Sequence, residues 1–556
     1  MRLLDQFHRL AGLAESGPHH SLTEVATLLC CSERNARLLL HRMQQQGWLQ
    51  WVPGRGRGHR SRLTLLQQPD ALKLSRLHQL LAEGRLEAAF DGLPQEGQAR
   101  LKQALPGFLG PNQAGGLRIP FYRPLHALDP IQVHRRTESH IVAQLCAGLT
   151  AYEREREAIT PALAHHWECF DNGSIWHFWL RPDLRFHDGR PLQAHDAACS
   201  LIRLRDTVGP HQRLFNHLQD ITAEGLLLSL RLSKPDHLLL HRLAHTAAVI
   251  VPAQDWLRAD FSQLPVGAGP FRLVRNNSHR ASLQAFDSYY GERPLLSNID
   301  IWVVPDGSPI PDMDINLGHG LPLPADWSHL GQLEQGCDFV VLNPARPAFA
   351  TASGRLALGA WLRTALPTLA GKQAASAYLP NWQHLPEVAP ALPDLPRQLS
   401  LVTYQLDSHI SLSQQIAELL RQAGHKVELS ILSYPEFATF AWCGWADIAV
   451  AGEVMSDDLA FSLYGGLAGE STFHHWLATA DRAWLAGASA AIAAEPDASL
   501  RAAQIETCYA HIVAEGWLLP LFHTMQALSH SPQCNGVKLA RCGWMDFRKL
   551  WLRSNP

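Results

Sequence analysis

SLTEVATLLCCSERNARLLLHRMQQQGWLQWVPGRGRGHRSRLTLL, residues 21–66, decides how this chain reads. Ser21-Leu-Thr-Glu24 is a capping-box pattern, in which each side chain satisfies the other's free backbone N–H, and it predicts a short helix over Leu22 to Leu29. Cys30-Cys31-Ser32 makes a turn. Ser32 is placed to cap a second helix running to about Gln46, which Gly47 stops. On a helical wheel Ala36, Leu39, Leu40 and Met43 form the inward stripe. Arg34, Leu38, His41 and Gln45 face outward, with Asn35, Arg37 and Arg42 on the flanks. Strand-like Trp48 to Val52, the turn Pro53 to Ser61 and strand-like Arg62 to Leu66 then make a hairpin whose tip carries Arg55, Arg57, His59 and Arg60.

Two helices joined by a tight turn and followed by a basic hairpin read as an α+β winged helix-turn-helix. Its second helix can enter a major groove, using Arg for guanine edges or phosphates and Asn for adenine. The hairpin can lay arginines along phosphates or into a narrow minor groove. The expected contacts to double-stranded DNA are Arg34, Asn35, Arg37, Leu38, His41 and Arg42 on the helix and Arg55, Arg57, His59 and Arg60 on the wing. A charged helix alone is equally a solvated face; the basic hairpin behind it is what favours DNA. Gly54-x-Gly56-x-Gly58 lacks the third spacing and the following helix of a nucleotide loop.

Upstream, Leu3, Leu4, Phe7, Leu10 and Leu13 recur at helical spacing. Residues 1–67 hold nine Arg, no Lys and four acids, a net +5, against 39 basic and 47 acidic residues in the remainder, a net −8. A positive head on an acidic body points to a polyanionic partner for the head alone. His8, His19, His20, His41 and His59 would add to that field when protonated. The ten cysteines form no C-x-x-C pair and no small secreted frame, which favours free thiols in a reducing compartment. The opening residues lack the basic and apolar regions of an export signal. No window approaches the ~18 apolar residues of a membrane span. The expectation is a cytoplasmic chain without membrane contact.

Downstream, residues 68–115 read as a helical connector: Leu74, Leu77, Leu80 and Leu81 keep a stripe, Leu86 to Phe90 resume it, and Pro94 starts another short helix. Gly110 to Gly116 is turn chemistry. The expected organisation is therefore 1–67, 68–115 and 116–556. In the last part a strand is expected at Leu117 to Tyr122, a helix at Glu138 to Leu149, and an alternating strand with Trp176, Phe178 and Leu180 inward. A hairpin turn is expected at Asp188-Gly189, a helix after Asp196, and a strand at Ile299 to Val304. Residues 399–452 give strand, helix (His409 to Ala423), strand, short helix and strand (Asp447 to Val450), which is βαβ material in a second lobe.

The motif order resembles the extracellular solute-binding proteins of family 5, the oligopeptide- and dipeptide-binding type. The resemblance lies in Pro161-x-Leu-Ala-x-x-Trp167, Phe178-x-Leu-Arg181, Phe186-x-Asp-Gly-x-Pro-Leu-x-Ala-x-Asp196, Pro265-Val-Gly-x-Gly-Pro-Phe271 and Ala446-Asp-Ile-Ala449. With the head included, the whole chain resembles the SgrR-type HTH regulators. That closer likeness rests on Gly47-Trp48-Leu, Gly54-Arg-Gly-x-Gly-His-Arg-Ser-Arg-Leu-Thr64, Tyr122-Arg-Pro, Arg135-Arg136-x-Glu138-x-His140 and Gly543-Trp544-x-Asp546-Phe547. The resemblance implies a winged helix-turn-helix followed by an α/β, bilobal, type II periplasmic-binding-protein-like domain. It also implies regulation from specific promoters, with the body sensing a small metabolite, proposed in that family to be a phosphorylated hexose.

One departure bears on the ligand. Peptide-binding relatives carry a G-W-x-x-D-Y type segment whose Asp holds a peptide amino terminus, whereas this strand continues Gly452-Glu453-Val-Met-Ser-Asp457. Peptide sensing stays open through Asp457. A phosphate ester would call for arginine forks and a helix N-terminus, as Arg135 and Arg136 offer; Arg123, Glu138 and Trp445 complete the candidates. Arg135 and Arg136 are equally read as a solvated first turn or as partners of Glu138. No G-x-S-x-G, H-E-x-x-H or phosphate-loop lysine motif points to an enzyme, and no cofactor is expected. His165-His166 and His474-His475 are neighbours that cannot share one helix or strand face, so chelation is not expected, and His187 reads as structural. A scaffold whose head binds protein instead of DNA remains the other class.

Overall fold

Helix α1 (Arg2–Glu15) opens the chain because its apolar residues fall on one face: Phe7 and Leu10 are fully buried. The computed structural model describes residues 2–54, 60–82, 116–303, 313–318, 323–367, 371–469 and 471–553. The chain divides into two compact units, the smaller within Met1–Asn112 and the larger comprising Gln113–Gly307 and Met313–Pro556.

In the smaller unit, strand β1 (His19–His20) leads into α2 (Leu22–Leu28), whose Ser21–Glu24 capping box is formed in both directions. Cys30 turns the chain with φ 51°. Ser32 Oγ then accepts from Asn35 N at 3.3 Å to start α3 (Glu33–Gln45), and Gly47 leaves it with φ +71°. Ala36, Leu39, Leu40 and Met43 point inward as expected, and with Val25, Leu49 and Leu63 they complete one core. Each fully buried Leu or Met there contributes about 1.5–3 kcal/mol. The hairpin strands are β2 (Leu49–Val52) and β3 (Ser61–Leu65), and the sheet order is β1-β3-β2. The strand at His19–His20 was not expected. Two residues carry no periodicity, and pairing with Ser61 and Arg62 creates it. Helix α4 (Pro69–Ala82) follows, and its Leu72 packs against the same core. The remaining connector residues, and Arg55 to His59 of the wing, lie outside the described residues.

The first lobe of the larger unit holds two four-stranded sheets. In one, Gly116–Phe121 pairs in parallel with Asn298–Val303, which continues through Arg280–Ala285 to Phe271–Asn276. In the other, Ala164–Phe170, Ile175–Leu180, Leu227–Leu232 and Leu218–Glu224 lie side by side, with Trp176, Phe178 and Leu180 inward. The predicted helix Glu138 to Leu149 is instead Arg136–Leu145. It ends because Ala147 bridges to Ile250 and because a Cβ on Gly148 would meet Leu243 O at 2.3 Å. The Pro265–Pro270 loop seals that end: Cβ atoms on Gly267 and Gly269 would lie 2.2 and 2.5 Å from backbone atoms of Leu145. Asp196 does not precede its helix. It is the third residue of Ala194–Asp206, and its carboxylate accepts from Gln193 N (2.9 Å) and Ala253 N (2.9 Å).

The second lobe is one large sheet ordered Ile315–Asn316, Leu519–His530, Gly336–Leu342, Ile448–Val454, Gln398–Tyr404, Lys426–Leu432. The last three are parallel to one another. The predicted helix between two of them is Asp407–Gln422, burying Leu412, Ile416 and Leu420. The final strand starts at Ile448; Asp447 instead anchors the sheet's lower end, accepting from Ser400 N at 2.7 Å and from Arg346.

Candidate functional site

On α3 the side chains of Arg34, Asn35, Arg37, Leu38, His41 and Arg42 are all exposed, with Leu38 48% accessible in their midst. An open hollow of about 540 Å³ is lined by Ser32, Arg34, Asn35, Arg37 and Leu38. The acid on this helix is engaged: Glu33 accepts from Thr23 Oγ1 at 2.6 Å. The hairpin is pinned to the helix, because Gln44 Oε1 accepts from Trp51 N at 3.0 Å. Across the hairpin's base, Ser61 Oγ accepts from Gly54 N at 3.4 Å. Arg60 is paired with Glu24 at 3.1 Å. The result is an exposed, cationic face with an apolar spot, suited to phosphates and thymine methyls.

The second lobe has a topological switch point. From Gln398–Tyr404 the chain crosses through Asp407–Gln422 to a parallel neighbour on one side, while Ile448–Val454 lies on the other. Ligands of open α/β sheets bind beyond the carboxyl ends of strands at such a point. At that edge stands Tyr404, edge-on to Tyr434 (5.0 Å) and His409 (4.9 Å). The first lobe reaches it here. His134 stacks on Tyr434 at 4.8 Å, and the Arg135 guanidinium lies 4.6 Å from the same ring. Arg136 Nη1 is 3.1 Å from Glu334, which also accepts from Gln526 Nε2 at 3.2 Å. Burial pushes the Glu334 carboxyl up despite that guanidinium. Behind the edge, buried Asp338 accepts from Lys372 and lies 3.1 Å from His409 Nε2, and burial is outweighed by these two partners, which hold its carboxyl low.

The structure therefore brings Arg135 against Tyr434 and Arg136 against Glu334, at the carboxyl edge of the second-lobe sheet. It closes Arg123 and Glu138 on one another, through two hydrogen bonds of 2.6 and 3.1 Å, with His126 N donating to Glu138 at 2.9 Å. Asp457 is near the right edge, following Val454, yet its Oδ1 accepts from Arg541 N at 2.9 Å. Trp445 precedes the opposite end of that strand, about 20 Å away along it. Glu334, Gln526, Tyr404 and Tyr434 went unnoticed in the sequence; the strand–helix–strand pattern, whose first strand ends at Tyr404 and whose second ends at Leu432, was the signal available for two of them. Of the histidine pairs, His474 Nδ1 accepts from Ser471 N at 2.8 Å, and His475 stacks on Phe440 at 3.7 Å. His187 Nδ1 accepts from Gly267 N at 3.3 Å, inside the Pro265–Pro270 loop.

Two family descriptions match: "Sugar transport-related sRNA regulator N-term" over residues 2–115, and "Bacterial extracellular solute-binding proteins, family 5 Middle" over residues 158–310. An "HTH-type transcriptional regulator SgrR" from Pectobacterium atrosepticum is 32% identical over 556 residues, covering 96% of this chain and 95% of that one. The chain belongs to the SgrR family of HTH-type transcriptional regulators. An SgrR from Yersinia enterocolitica is 30% identical over 581 residues, covering 99% of this chain and 98% of its own. The solute-binding fold of this SgrR-type body is likewise found in solved structures. The dipeptide-binding protein of Pseudoalteromonas sp. SM9913 in complex with Met-Leu superposes with TM-score 0.67 at 16% identity, covering 79% of this chain and 100% of that one. NikA from Brucella suis in complex with Fe(III)-EDTA superposes at 0.65 and 17%, with the same coverage. Among the described residues of this SgrR-type chain, no helix is long and apolar enough to cross a membrane.

Proposed function

We propose that this SgrR-type regulator reads duplex DNA with α3 and its hairpin and responds to an anionic small metabolite held in the crevice at Tyr404. The carrying observation is the exposed cationic face of α3 with a hairpin hydrogen-bonded alongside it. The helix set contacts base edges and phosphates, and Arg55 and Arg57 of the wing contact phosphates. We further propose the division 1–67, 68–115 and 116–556, a cytoplasmic location, and binding in place of catalysis.

Arg135 over the Tyr434 ring and the start of Arg136–Leu145, which has no side-chain cap, support an anion, which would compete with Glu334 for the Arg136 guanidinium. A phosphorylated hexose fits that donor set and the aromatic edge of Tyr404 and Tyr434. One solved structure of like fold holds a dipeptide, but Asp457, the carboxylate available for a peptide amino terminus, is already engaged by Arg541. The ligand acts by its affinity difference between two arrangements of the body, typically ~1–3 kcal/mol of coupling.

A gel shift with mixed-sequence duplex at low salt tests the head, and absence of any binding would leave only the protein-binding alternative. A thermal-shift panel of hexose phosphates against dipeptides tests the body; a shift with dipeptides alone would overturn the phosphate ester. Operator affinity unchanged at saturating effector would remove the switch.

A further inference from the structure

We infer that Glu24 is a positioning residue for the wing, holding Arg60 at the hairpin's base, and that Arg60 is a strut and not a phosphate contact. This rests on the DNA-binding reading above. Glu24 is a fixed anchor before it meets Arg60. Its Oε2 accepts from Ser21 N at 2.9 Å in the capping box and lies 3.8 Å from His20 Nδ1, while His20 is buried with Nε2 2.5 Å from Gly17 O. Glu24 Oε1 is thereby aimed outward, and Arg60 Nη2 donates to it at 3.1 Å.

Arg60 directly precedes β3, and β3 is held on both sides, by His20↔Ser61 in β1 and by Trp51↔Leu63 in β2. With Gln44 fixing β2 to α3 and Ser61 closing the base on Gly54, the ion pair supplies the link from α2 to the outgoing limb of the hairpin. A guanidinium held by a carboxylate brings no net charge to a phosphate, so the pair fixes the base of the hairpin without adding to counterion release. The Ser21 N–H, then the Arg60 charge, hold the Glu24 carboxyl below the usual range, so the anchor stays ionised at neutral pH.

Charge alone predicts the opposite outcome. Removing an acid beside a polyanion tightens binding, whereas removing a strut loosens it. The full chain is titrated with a mixed-sequence duplex across a salt series as wild type, E24Q, R60Q and the double variant. Gln at position 24 preserves the capping box, and Arg60 is 61% exposed, so both variants fold. Expected are losses of about threefold for each single variant, in the range of exposed ion pairs. The double variant should be no weaker than either, and the salt slope unchanged throughout. Tighter binding by E24Q, or a slope reduced by about one ion in R60Q, overturns the inference and leaves the DNA-binding reading standing. A wild-type chain that binds no duplex overturns both.

Discussion

Replacing Glu138 by Gln separates a structural carboxylate from a ligand-binding one. Its side chain is 2% exposed and its partner Arg123 is 17% exposed, so the carboxylate is out of water and the guanidinium largely so. Removing one member of a buried ion pair costs about 3–5 kcal/mol. Gln keeps an acceptor for His126 N or for one guanidinium N–H, which returns about 1 kcal/mol. The expected loss is therefore about 2–4 kcal/mol, read from urea unfolding of the full chain. The pH dependence has a defined sign. Burial raises the Glu138 carboxyl, but Arg123 and the His126 N–H outweigh it and hold it below the ordinary value. A depressed folded value contributes stability that is complete above the unfolded value of about 4.3 and is lost as pH falls through the folded one. The gap between wild type and variant should thus be full at neutral pH and shrink below about pH 4. A gap under about 1 kcal/mol, or one that persists in acid, would refute the ion pair as its source. Loss of the hexose-phosphate thermal shift without loss of stability would return Glu138 to the ligand.

Other expectations follow from single positions. Cys30→Gly should raise head stability by about 0.5–1 kcal/mol in thermal unfolding, because Cys30 occupies the left-handed region at φ 51° and Gly does so without a Cβ penalty. Gly452→Ala should cost about 1–3 kcal/mol, since its Cβ would lie 2.7 Å from His409 Nε2 and 2.8 Å from Asp338 Oδ1; near-neutral urea unfolding would contradict the packing described. Arg34→Ala should relax sequence preference at one position by about 1–3 kcal/mol in competition binding. Arg57→Ala should weaken all duplexes alike and flatten the salt slope; equal small losses from both would argue against the groove assignment.

The head was legible almost residue by residue, because its signals are local. The capping box, the Ser32 cap, the Gly47 stop and the inward stripe of Ala36, Leu39, Leu40 and Met43 each lie within one turn or one helix. In the body the alternating strand at Trp176 was legible for the same reason. The end of the helix at Leu145 was not, since it is set by partners about 100 residues later, Ile250 bridging Ala147 and Leu243 crowding Gly148. Crevice residues were harder still. Arg136 meets Glu334 across 198 residues, and no periodicity announces such a partner. Arg123 and Glu138, 15 residues apart, were both noticed as charges, but only the folded chain shows each satisfied by the other.

The glycine loop over Leu145 has a mechanical consequence. Gly269 N donates to Leu145 O at 2.9 Å, and a side chain at Gly267 or Gly269 would collide with the Leu145 backbone. The end of the helix that begins at Arg136 is thus tied to the loop that runs into the Phe271–Asn276 strand, and sliding the helix along its axis must carry that loop or break the hydrogen bond.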